Sequence, residues 1–210
     1  SCIKKRCVFP QTCEKLEPDH SKQIDLLKKL RNTKGIRKIF VASGLRYDLI
    51  ENDRIYGDEY LRELVEHHVS GQLKIAPEHS DSKILSLMGK PEIDSIFSFR
   101  DKFNKYSAHA GKNQFLTYYF IAAHPGCTEE DMKKLKNLSS EKLKINPEQI
   151  QIFTPTPSTY STLMYYTETN PFTGEKLFVE KTHSGKENQK DILMHKPKTY
   201  LSSKKYRNGK

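Results

Sequence analysis

Between about residues 21 and 154 the hydrophobic period of the chain switches back and forth. Apolar residues three or four apart give way to short β-branched or aromatic runs, and then return. Strands separated by helices in this way pair in parallel, because each connection must cross a sheet face before the next strand begins. SKQIDLLKKLRNTKG spaces Ile24, Leu27 and Leu30 three apart with Gly35 beyond, which predicts an amphipathic helix with a glycine stop. IRKIFVAS (36–43) then predicts a buried first strand. DEYLRELVEHHVSG predicts a second helix with Tyr60, Leu61, Leu64, Val65 and His68 on one face, and GQLKIAPEH a second strand. Ser80 is the expected cap of a short helix through Ile84, Leu85 and Met88, and Phe99, Phe103 and Tyr106 mark a longer one ending at Gly111. FLTYYFIAA (115–123) predicts the third strand. Thr128, followed by Glu129, Glu130 and Asp131, predicts a capped helix start, and QIQIFTPTP after Pro147 supplies a fourth strand.

The alternation stops beyond Tyr160, which divides the chain into a cysteine-containing entry segment (1–20), an α/β body (21–160) and an irregular extension (161–210). The extension offers one extended run, KLFVEK (176–181), and a helix around 189–194. Its last sixteen residues carry six Lys or Arg and no acid, the pattern of a solvated tail. Of the whole chain, 35% is hydrophobic, enough for a core that does not reach every residue. The formal charge of +10 makes nucleic acid a permitted partner. No run of about 18 apolar residues occurs, so no membrane partner is expected and the cytoplasm is the default compartment. Cys2, Cys7 and Cys13 are spaced CxxxxCxxxxxC, and clustered thiols in a reducing compartment suit a structural metal or a second iron-sulfur site more than disulfides.

In parallel α/β architectures ligands bind at the carboxyl ends of the strands, where the loops converge. Four such ends follow one another here: SGLRYDL (43–49), APEHSDS (76–82), AAHPGCTEED (122–131) and FTPTPSTYS (153–161). Each is polar, turn-forming and rich in hydrogen-bonding side chains.

These same segments resemble a known family. LKIAPEHSDSKILSLMGKP, YYFIAAHPGCTEEDM, QIFTPTPSTYS and FVASGLRYD together, in this order, resemble the YgiQ-like branch of the radical S-adenosylmethionine enzymes over nearly residues 1 to 170. The resemblance implies an α/β fold, a partial (β/α) barrel holding the later strands. It also implies S-adenosylmethionine as cofactor, with a [4Fe-4S] cluster that cleaves it to a 5'-deoxyadenosyl radical. Contacts to cofactor or substrate are expected from Ser43 and Arg46 at the first tip, Lys74, Glu78 and His79 at the second, His124 at the third and Gln151 at the fourth. Arg46 suits a carboxylate through its planar fork, and Ser43 and Glu78 suit ribose hydroxyls or an amino group. The chain departs from the family in lacking the cluster-binding CxxxCxxC. Ligands for that cluster are expected upstream of Ser1, in the remainder of the same polypeptide, and the fragment alone is expected to be inactive. The substrate is unknown. A fold missing its early strands should expose an open edge along IRKIFVAS. The rival reading is a basic RNA-binding or other nucleic-acid-binding module with a structural cysteine metal site.

Overall fold

The structure is a computed structural model that describes residues 7–8, 12–147 and 149–194. Eight α-helices and three strands make up its regular elements: α1 (Ser21–Arg31), α2 (Tyr47–Asn52), α3 (Gly57–Glu63), β1 (Gln72–Glu78), α4 (Ser82–Met88), α5 (Ser95–His109), β2 (Phe115–Ala122), α6 (Glu129–Asn137), β3 (Ile150–Ile152), α7 (Tyr160–Thr167) and α8 (His183–Leu193). Two π-helical turns, Leu64–His68 and Leu138–Leu143, continue α3 and α6. The strands form one open sheet in the order β1, β2, β3, and both pairings are parallel.

The alternation along each strand decides where the core lies, because successive side chains point to opposite faces. Leu73 and Ile75 of β1, Tyr118, Phe120 and Ala122 of β2 and Ile150 of β3 are buried on one face. Against them pack Leu61, Leu64, Ile96, Phe99, Phe103, Met132 and Leu135 from the helices, all fully buried. The opposite face carries Lys74, Ala76 and Glu78, then Thr117, Tyr119 and Ile121, then Gln151, and it is half-buried to exposed. One face is a core and the other is a polar wall.

The helix ends follow the chemistry of their flanking residues. Thr128 caps α6 through a full capping box with Asp131, as its sequence predicts. At α4 the cap is Asp81 rather than Ser80: its carboxylate accepts the amides of Lys83 and Ile84. The helix closes on Gly89 in the left-handed conformation at φ 69°.

Two expectations are corrected, the first strand and the start of the last helix. IRKIFVAS joins no ladder: Leu45, just beyond it, makes a single parallel bridge to Ile75, and Val41 donates to the carbonyl of His68. Ile36 and Phe40 are exposed rather than buried. The sheet therefore has three strands instead of four, and it is open on that side. KLFVEK makes the antiparallel bridge Thr169 to Lys176, and the carbonyl of its Phe178 accepts from the Gly126 amide. The later helix is longer than expected, beginning at His183 because Thr182 supplies the cap. The basic tail 195–210 and Cys2 lie outside the described residues.

Replacing Phe99 by Ala in the fully buried layer should cost roughly 3–5 kcal/mol in chemical denaturation, while Leu26→Ala on the exposed side of α1 should stay within about 0.5 kcal/mol.

Candidate functional site

The carboxyl ends of β1 and β2 both leave the sheet through the left-handed region. Glu78 has φ 65° and Ala123 φ 57°, conformations that cost a non-glycine residue roughly 1–3 kcal/mol. At β1 the turn follows a register shift between Ile75 and Glu78. Pro77 sits inside that bulge, where its missing N–H breaks no ladder bond. Beyond the bulge the Glu78 carboxylate pairs with Lys90 at 2.9 Å.

Arg46 stands beside this tip, at the start of α2. Leu45 both donates to Lys74 (2.9 Å) and accepts from Ala76 (3.1 Å), which ties the 43–49 loop to β1. The guanidinium forks onto Asp48 through Nε (2.8 Å) and Nη2, and this pair holds its pKa above the ordinary value, with Glu78 adding a smaller contribution. Lys74 lies on the same face of β1 with no carboxylate partner among the described residues. Its neighbour in register, Thr117, has a hydroxyl oxygen that is buried and has no hydrogen-bond partner. Tyr119 completes this part of the wall; burial, and to a lesser degree the nearby Glu78, raise its phenol pKa. Gln151 lies on the same face of β3, exposed, with its amide turned onto the carbonyl of Ile152. Ser43 is exposed in the loop before Arg46.

The two strand-end histidines behave differently. His79 is fully buried, with Nδ1 accepting from the amide of Asp81 at 3.0 Å and Nε2 3.6 Å from the thiol of Cys127. His124 is 2% exposed; its Nδ1–H donates to the carbonyl of Pro125 (2.9 Å) and its Nε2 accepts from the hydroxyl of Ser161 (2.8 Å). Both rings have both nitrogens engaged. Burial disfavours the imidazolium and pushes each pKa down to about 4. The same burial, reinforced by Asp131, pushes the Cys127 thiol up to about 12, so it is a packed thiol rather than a reactive one. These side chains hold the tips in place instead of projecting from them.

Of the seven expected ligand contacts, Arg46 and Glu78 stand together at the carboxyl end of β1, Lys74 lies further back along that strand, and Gln151 is two strands away. Ser43 lies in the adjoining loop, and His79 and His124 are internal supports. Cys7 is exposed and Cys13 half-buried, with the Cys13 amide bonded to the Cys7 carbonyl at 2.8 Å. Among the described residues no three His, Cys, Asp or Glu side chains gather closely enough to hold a metal. Sequence reading assigned no role to Asp48, Lys90, Ser161 or Gln189: Asp48 adjoins its partner Arg46 in SGLRYDL, whereas the partners of Lys90, Ser161 and Gln189 lie twelve or more positions away.

No protein-family model matches the chain. It is 54% identical over 198 residues to a UPF0313 protein of Fusobacterium nucleatum, covering 94% of this chain and 35% of the relative. It is 44% identical over 201 residues to a UPF0313 protein of Clostridium perfringens, and 44% identical over 195 residues to one of Clostridium botulinum, covering 30% of each. Its homologues are UPF0313 proteins. The chain thus spans about a third of the length of these relatives, whose name denotes a family without an assigned activity. No described helix is long and apolar enough to cross a membrane.

Because His79 and His124 are neutral in the fold and titrate near 6.5 when unfolded, the unfolded chain binds more protons between about pH 6.5 and 4. Their contribution to stability should be complete above pH 6.5 and fall away as pH drops through about 4, which denaturant midpoints measured across that range would show. At pH 8, Cys127 should react with a thiol reagent only after denaturation, whereas the exposed Cys7 should react in the native protein.

Proposed function

We propose that this chain is the later-strand portion of a radical S-adenosylmethionine enzyme, and that its polar sheet wall binds the cofactor. The observation that carries this reading is that Arg46 and Glu78 stand together at the carboxyl end of β1, with Lys74 further back along the same strand beside the orphan hydroxyl of Thr117. Helical connections crossing one face of a parallel sheet suit a barrel segment, and the polar face would then be the lumen. The donor set fits the ligand. Lys74, unpaired, and the uncommitted Nη1 of Arg46 suit the methionyl carboxylate; Glu78, by exchanging its Lys90 partner, suits the amino group or the ribose hydroxyls. The orphan hydroxyl of Thr117 beside Lys74 is a further group awaiting a partner. When bound beside a reduced [4Fe-4S] cluster, S-adenosylmethionine supplies the 5'-deoxyadenosyl radical. The task of these residues is to hold the cofactor and keep water from it. The cluster ligands would come from the remainder of the polypeptide.

A second reading has its own observation. At the opposite end of the strands Arg31, Arg37, Lys38 and Lys112 line a groove of about 480 Å³, with Phe40 exposed at its wall. Cations with an adjoining aromatic suit single-stranded nucleic acid. RNA binding there should weaken steeply with salt and drop on charge reversal of Arg37 and Lys38; salt-insensitive binding, or none, removes this reading.

For the enzyme reading, the full-length polypeptide, reconstituted anaerobically with iron and sulfide and then reduced, should convert S-adenosylmethionine to 5'-deoxyadenosine. Glu78→Gln and Lys74→Met should each weaken cofactor binding about tenfold or more, with little change in melting temperature. Absence of cleavage by the properly loaded wild type would overturn the proposal.

A further inference from the structure

The five residues Ala123–Cys127, which lead from β2 into α6, are held by a side chain from the far end of the chain. Ala123 turns left-handed, so its N–H leaves the ladder. That N–H donates to Gln189 Oε1 at 2.9 Å, and Gln189 Nε2 donates to the carbonyl of Cys127 at 3.0 Å. The two backbone groups belong to opposite ends of the loop, so one carboxamide spans it. Gln189 is 1% exposed and lies on α8, which packs on α6 and β3. Two more segments of the irregular region meet the same loop: Phe178 accepts from the Gly126 amide at 2.7 Å, and Ser161 bonds His124.

A carboxamide has the two abilities this position uses. A carboxylate of the same length would accept from Ala123 but face the Cys127 carbonyl with a second acceptor, and a thioether of similar length offers neither bond. The loop is also coupled to the neighbouring strand, since Cys127 contacts His79 and His79 follows Glu78 directly. A path of contacts therefore runs from Gln189 through Cys127 and His79 to the tip that carries Glu78.

We propose that Gln189 is a positioning residue of the strand-tip site: it locks the β2 exit loop and, through Cys127 and His79, the tip of β1 that presents Glu78 to the ligand. The effect on cofactor affinity rests on the function proposed above, whereas the clamp itself does not. The test compares Gln189→Met with Leu193→Val, a buried change on the same helix away from the loop. In the full-length reconstituted protein, Q189M should weaken S-adenosylmethionine binding about tenfold while L193V leaves it unchanged, even where both lower the melting temperature by similar amounts. Equal weakening by both variants, or by neither, overturns the positioning role. Independently, hydrogen exchange of the 210-residue wild type should show the Ala123 amide protected at least a hundredfold over an open amide. Rapid exchange there overturns the clamp, even if Q189M fails to fold. Should the wild-type full-length protein bind no S-adenosylmethionine, the enzyme reading fails and the exchange result alone decides the clamp.

Discussion

Everything in this molecule depends on a three-stranded parallel sheet being buried on one face only. Leu73, Ile75, Tyr118, Phe120, Ala122 and Ile150 turn towards the helices and meet the aromatic layer of Phe99 and Phe103. With the strands in the sequential order β1, β2, β3, right-handed crossovers carry both connections over that same face, so the helices collect there. The residues between, on the same strands, are left as a polar surface. The polar wall is thus a by-product of strand periodicity: what is not core is necessarily wall.

At the strand tips, burial acts on charge in a way that sorts the residues into two kinds. His79 and His124 are surrounded by apolar packing and satisfied hydrogen bonds, and they stay neutral because charging them in that environment is costly. Arg46, Glu78 and Lys90 retain partial access to water and remain in ion pairs. The left-handed turns at Glu78 and Ala123 persist because surrounding contacts hold them, and the contacts at Ala123 come from residues sixty or more positions later.

Helices with clear caps were legible in the sequence. Thr128 and its three acids marked α6, and Tyr60, Leu61, Leu64, Val65 and His68 were assigned to the inner face they occupy. IRKIFVAS was misread because β-branched composition reports the capacity to pair, whereas pairing requires a neighbour within hydrogen-bonding reach along the whole run. Val41 bonds the carbonyl of His68, and the one isolated bridge falls at Leu45, beyond the run. The helix at Tyr160–Thr167 escaped notice because its start lies in a proline- and threonine-rich stretch whose hydroxyls bond the backbone, and its exposed face carries aromatic residues that read as strand or loop.

The sequence by itself determined the order of helix and strand from α3 to β3, the parallel sense of the sheet and which tips are polar, because these follow from periodicity and capping within a few residues. Tertiary structure alone decided that His79 and His124 are internal supports, that Arg46 and Glu78 stand together, and that Gln189 closes a loop sixty-two residues away from it at Cys127. Burial and partnership are properties of packed neighbours, and no local pattern encodes which distant side chain will fill the space.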